Sequence, residues 1–153
     1  MKEFSNVETV MERDGFFTCV PVGNSMWPLI RNRRDSVIIQ KETKPEKYDI
    51  TLYRRANGKL VLHRCFGKDE NGCYKFMGDN QLKMEKGIKE EQILGVLVAF
   101  YRKEKKYYPI ESKIKAYDFL WSKLFIIRLP FLALKRILTG IRTLTRKNKA
   151  KRG

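Results

Sequence analysis

Hydrophobic and polar positions alternate in short runs through the first two thirds of the chain, and then the period changes. The runs 16–22, 36–40, 50–54, 60–66, 73–77 and 93–101 are rich in β-branched and aromatic residues and predict six strands. Asn57-Gly58 and Asn71-Gly72 fall between neighbouring runs and predict hairpin turns, since both residue types tolerate a positive φ. Residues 4–13 predict a short helix that stops at the turn pair Asp14-Gly15. Residues 85–92 are polar and predict a loop with a helical turn. Short strands with regular turns and no internal repeat predict a mainly β fold, a coiled, partly closed β-domain over residues 1–110.

Beyond residue 111 the spacing lengthens. Leu120, Leu124, Ile127, Phe131, Leu134, Leu138 and Ile141 recur at steps of four and three, which places them on one helical face. This predicts a second unit, 111–153, built on an appended amphipathic helix that runs to about residue 147. Pro130 removes a backbone donor and should kink it. The stretch 119–134 is apolar but carries Lys123 and Arg128. A charge at mid-bilayer costs at least ~2.5 kcal/mol, and a span needs about 20 apolar residues. An in-plane anchor therefore fits better than a span. Packing on the β-domain or on a second copy is the alternative.

Charge sharpens this division. The net charge is +16. Residues 1–101 hold 17 Lys/Arg against 14 Asp/Glu, whereas 102–153 hold 16 against 3. The basic character belongs to the tail, whose expected partner is an anionic membrane surface. Nucleic acid is disfavoured, because the tail's aromatics lie within the apolar pattern and no reader motif is present. Cys19, Cys65 and Cys73 lack metal-ligand spacing and are read as free thiols in a reducing compartment. A Cys65–Cys73 disulfide across a hairpin is the less favoured alternative. A single histidine excludes most histidine-based metal sites, and no metal or cofactor is expected. The first eight residues lack an apolar core, so the expected location is cytoplasmic or peripheral to a membrane, without an N-terminal signal or transmembrane segment.

Three groups suggest chemistry. Ser25 lies in Gly23-Asn24-Ser25-Met26-Trp27-Pro28-Leu29-Ile30, where glycine permits a sharp bend and proline restricts Trp27 towards an extended conformation. His63, in Leu60-Val61-Leu62-His63-Arg64, can be neutral near pH 7, and its ordinary value predicts an acid limb of activity around pH ~6–7. Asp79 lies in the Gly78-Asp79-Asn80 turn. A serine to attack, a histidine to take its proton and a carboxylate to orient the imidazole are the parts of a serine hydrolase.

These boxes, together with Tyr48-Asp49-Ile50-Thr51-Leu52-Tyr53-Arg54 and Ile93-Leu94-Gly95-Val96-Leu97, resemble the type I signal peptidases and the self-cleaving SOS and phage repressors. The resemblance runs from about Phe16 to Tyr101. Bacterial housekeeping members use a lysine base. His63 at that place makes the chain similar to the Ser-His enzymes of the endoplasmic reticulum. The resemblance implies a serine endopeptidase that cleaves leader or propeptide segments, with the peptide bound as an extended strand beside residues 16–22. It implies Ser25 as nucleophile and its backbone N–H as oxyanion donor, with Gly23, Asn24 and Met26 beside the substrate. Many members carry a hydroxyl two residues before the nucleophile, where this chain has Gly23. The acidic pair of the endoplasmic-reticulum enzymes corresponds to Met84 and Glu85, which implies either Glu85 orienting His63 with Asp79 building the turn, or the reverse, and a Ser-His dyad is a third arrangement. The expected split is that Glu85→Gln costs activity and Asp79→Asn costs folding as well. Asp35 is read as structural. The resemblance also leads one to expect a transmembrane helix before the nucleophile box, whereas no apolar stretch of that length is expected from residues 1–22. A secretory signal peptidase with a C-terminal anchor is a related alternative. A repressor is disfavoured, because the roughly 20 residues before Gly23 are too few for a DNA-binding domain. The alternative from another class is a non-catalytic peptide-binding module with a membrane- or nucleic-acid-binding basic tail.

Overall fold

The computed structural model describes residues 7–107, together with Pro130 and Leu134. The predicted tail helix and the unit 111–153 lie outside the described residues, except that Pro130 and Leu134 are both helical and exposed. Among the described residues no helix is long and apolar enough to cross a membrane.

The chain begins with α1 (Val7–Asp14), which turns Met11 into the core and ties Glu8 to Arg54 by an ion pair. Eight strands follow: β1 (Phe16–Cys19), β2 (Asp35–Lys41), β3 (Ile50–Arg54), β4 (Leu60–Lys68), β5 (Tyr74–Met77), β6 (Glu85–Ile88), β7 (Ile93–Arg102) and β8 (Lys105–Tyr107). They form one sheet in the order β1-β2-β7-β3-β4-β5-β6, with β8 pairing β7, and every pairing is antiparallel. The expected mainly β fold is therefore present. The hydrogen-bonded path itself is open, with β1 at one end and β6 at the other. Register shifts at Ile38/Ile39, Leu52/Tyr53, Cys65/Lys68 and Tyr74/Phe76 interrupt four of the ladders, and such bulges bend and twist a strand.

Each of the six predicted runs contributes a strand, and β6 and β8 are additional to them. The first strand stops at Cys19 rather than at residue 22, because Val20, Pro21 and Val22 leave the sheet; proline there has no N–H for a ladder. Residues 85–88, expected as loop, form β6. This strand lies at the edge and buries only Ile88, so its side chains give no clear alternation. The expected helical turn follows as a 3₁₀ turn, Glu90–Gln92. All three cysteines are free.

Two apolar clusters flank β3. Ile50 and Leu52 join Met11, Met26, Ile30 and Ile39 in one, and Tyr53 joins Val61, Phe76 and Ile93 in the other. β3 and its hairpin partner β4 lie in the middle of the strand order, and β3 is buried on both faces. Both strands carry residues of the candidate site.

Candidate active site

The loop between β1 and β2 carries Ser25 and is tied at several points. Gly23 N–H donates to Asn32 Oδ1 at 2.9 Å, and Arg33 N–H donates to the Pro21 carbonyl at 3.0 Å. Gly23 has φ 120°, a backbone region that side chains rarely tolerate, so the bend ahead of Ser25 calls for glycine. The Trp27–Pro28 peptide is cis, an isomer that an extended Trp27 did not lead one to expect. At the far end Asp35 is 1% exposed, accepts from the Arg31 N–H at 2.9 Å and pairs with Arg102 at 2.7 Å. Its expected structural role is the one it fills.

The Gly78-Asp79-Asn80 turn braces the same loop from the other side. Asn80 N–H donates to the Ser25 carbonyl at 2.7 Å, and Asn80 Nδ2 donates to the Asn24 carbonyl at 2.9 Å. A Cβ on Gly78 would lie 2.6 Å from the Ser25 carbonyl oxygen, so this approach is open only to glycine. Asp79 is fully buried, and both its oxygens accept from Arg64 at 2.9 Å. Arg64 also donates to the Tyr48 carbonyl at 3.0 Å. The turn is thus anchored to β4 through an ion pair and presses on the backbone of Ser25.

His63 precedes Arg64 on β4 and points to the opposite face, as strand geometry requires. It is 1% exposed. Its Nδ1 lies 3.1 Å from the Tyr53 hydroxyl, and that hydroxyl donates to Glu85 Oε2 at 2.8 Å. Glu85, the first residue of β6, is gripped by Arg55 through bonds of 2.7 and 2.6 Å. Glu85 is thus linked to His63 across an intervening phenol. Of the two candidate acids, Asp79 pairs with Arg64 and braces the turn, while Glu85 reaches His63 through Tyr53. Glu85 lies one residue further from His63 than a direct triad would have it.

The surroundings set the charges. Burial lowers the His63 pKa from 6.5 to about 4; Glu85 opposes this, Arg55 assists it, and Asp79 opposes it. The hydrogen bonds from Arg55 hold the Glu85 carboxyl below its ordinary range. Burial, and then Glu85, push the Tyr53 phenol well above its ordinary value, so it stays protonated. At neutral pH the set is a carboxylate, a phenol and a neutral imidazole.

Ser25 and His63 line one cleft of about 810 Å³. Gly23, Asn24 and Met26 line it too, although Met26 is only 5% exposed and belongs mainly to the core. Phe17, Cys19, Ile39, Leu52 and Leu62 give the cleft apolar walls, and Lys59 and Arg55 add positive charge. β1, which borders it, pairs only with β2 in the sheet path and so has an edge to offer. A cleft of this kind can take an extended chain with apolar side chains. Tyr53, Arg55 and Arg64 went unread as site residues in the sequence. The signal available for Tyr53 was register: an Asn-Gly hairpin pairs Thr51 with His63 and Tyr53 with Val61, which sets Tyr53 diagonal to the histidine.

No protein-family model matches the chain, and no curated protein matches it.

Proposed function

We propose that the chain is a signal-peptidase-like serine endopeptidase that cleaves leader or propeptide segments by a Ser25–His63 mechanism, on a β-domain of signal-peptidase type. The observation that carries this reading is a buried, neutral histidine sharing a cleft with a serine on a braced loop, its Nδ1 tied through Tyr53 to a carboxylate. The Ser25 hydroxyl attacks the scissile carbonyl and its proton passes to His63. The C–N bond then breaks as His63 returns that proton to the leaving amine, and water hydrolyses the acyl-serine with His63 again as base. The Ser25 N–H is the first donor for the developing oxyanion. The edge of β1 suits an extended substrate, and the apolar walls favour apolar residues before the cut.

The test is a proteome-derived peptide library, incubated with the full chain and with Ser25→Ala and read by mass spectrometry of new termini. The proposal expects cleavages by the native protein alone, clustered after apolar or small residues. Peptides retained without cleavage would favour the binding module instead.

The depressed His63 pKa changes the pH profile expected from an ordinary histidine. A base must be neutral to accept a proton, and a pKa lowered to about 4 leaves it neutral well below pH 6. The kcat/KM profile, which reports the free enzyme, should hold level from about pH 5 to 7 and fall on the acid side with a midpoint near 4. A limb centred at 6–7 would mean that the imidazole is not desolvated in the working enzyme.

For the tail we propose a peripheral anchor, from its apolar periodicity and its excess of 16 basic over 3 acidic residues. Each basic residue near an anionic surface contributes up to about 1 kcal/mol, screened over roughly 8 Å at physiological salt. Binding to phosphatidylserine vesicles should weaken as salt rises, and a chain ending at Lys113 should lose it while still cutting a soluble peptide. Aggregation of the shortened chain would show that the apolar face packs on the β-domain instead.

A further inference from the structure

Counting protons along the chain of contacts from Glu85 to His63 gives more than proximity. Tyr53 has one hydroxyl proton and two neighbours, Glu85 Oε2 at 2.8 Å and His63 Nδ1 at 3.1 Å. Glu85, ionised and held by two bonds from Arg55, can only accept. The hydroxyl proton therefore points at Glu85, and the Tyr53 oxygen turns a lone pair towards the imidazole. A hydrogen bond between Tyr53 and His63 then requires the proton on Nδ1. A neutral imidazole carries one proton, so Nε2 is left with its lone pair.

We propose that Tyr53 is a positioning residue that fixes His63 in the Nδ1–H tautomer, transmitting the orientation of the Arg55–Glu85 pair so that Nε2 remains open to accept the Ser25 proton. The inference rests on the Ser25–His63 reading for its catalytic meaning, but the tautomer is a property of the protein without substrate. Tyr53 is suited to the task because it cannot turn away. It is fully buried on β3 and stacked on Phe76, with ring centroids 4.5 Å apart and planes 17° from parallel. Its phenol also stays protonated, so it never competes as a base. When Nε2 takes the serine proton, the imidazolium charge faces the Tyr53 oxygen and, beyond it, the Glu85 carboxylate. The other charged groups acting on the ring are Arg55, which disfavours that charge, and Asp79, which favours it.

The chain has one histidine, so its two ring nitrogens can be observed without assignment. In full-length protein carrying ¹⁵N-histidine, at neutral pH, two-bond nitrogen–proton spectra should show a pyrrole-type Nδ1 and an imine-type Nε2. In Tyr53→Phe the phenol oxygen is gone, and the pattern should invert or average towards the Nε2–H form that free imidazole prefers. The same variant should lose about 10²-fold or more in kcat, the scale of a lost general base, with KM little changed. The amide spectrum establishes that it is folded. An Nε2–H tautomer in the native protein would overturn the proposal whatever the variant does. A folded Tyr53→Phe protein that keeps the native nitrogen pattern would overturn it too. If the tautomer inverts as stated but the native protein cuts no peptide, the positioning role of Tyr53 stands and the peptidase reading falls.

Discussion

Ser25→Ala should lower kcat by roughly 10⁴-fold or more, and His63→Ala should do the same. The combined variant should be little worse than either alone, because a nucleophile without its base and a base without its nucleophile are equally idle. The measurement is single-turnover cleavage of one peptide found in the library, with each variant at saturating enzyme. Stability need not confuse the result for Ser25, which sits on a loop at the cleft and whose structural bonds are made by its backbone carbonyl. His63 is buried, so its replacement leaves a cavity, and His63→Gln provides a second variant of closer volume. Additive losses in the double variant would mean that the two residues do not act as a unit. Near-native cleavage by Ser25→Ala would remove the mechanism altogether.

The second large effect is on stability. Arg64 and Asp79 are both fully buried and meet through two bonds of 2.9 Å. Removing one partner strands the other's charge, which typically costs 3–5 kcal/mol, whereas replacing both with apolar groups can be nearly neutral. Arg64→Met should therefore lose about 3–5 kcal/mol in urea unfolding, and the Arg64→Met/Asp79→Leu pair should recover much of it. Asp79→Asn should cost stability as well, while Glu85→Gln, at a half-buried edge position, should cost mainly activity. Native stability in Arg64→Met would contradict the anchoring role of the pair. An inactive but fully stable Asp79→Asn would favour Asp79 over Glu85 as the group that orients His63.

These two predictions divide the site into parts that were unequally legible in the sequence. Ser25 and His63 stand in local patterns, a Gly-led bend and an alternating strand after an Asn-Gly turn, and their positions in the fold follow from those patterns. The central strands were legible for the same reason: Ile50–Arg54 and Leu60–Lys68 carry large apolar residues on both faces. β6 was not, because an edge strand with one buried residue has no pattern to read. The choice between Asp79 and Glu85 was beyond local reasoning. It depends on Arg64 pointing away from His63 across β4, and on β6 bringing Glu85 beside β5 at Phe76. Tyr53 was quoted in a sequence box but read only as a strand residue. Its chemistry appears only when strand register sets it diagonal to His63 and β6 brings a carboxylate to its hydroxyl. Gly78 had a legible turn role, but its more demanding duty is the close approach to Ser25, which involves a residue far away in sequence.

A fluorophosphonate bearing an extended apolar peptide arm reports whether Ser25 is a nucleophile activated by His63. Attack by the Ser25 oxygen on phosphorus expels fluoride and leaves a stable adduct, which peptide mapping of the intact full-length protein can place. An adduct is expected on Ser25 in the native protein, none at that position in Ser25→Ala, and much slower labelling in His63→Ala. No adduct on Ser25 in the native protein, or equal labelling rates with and without His63, would contradict it.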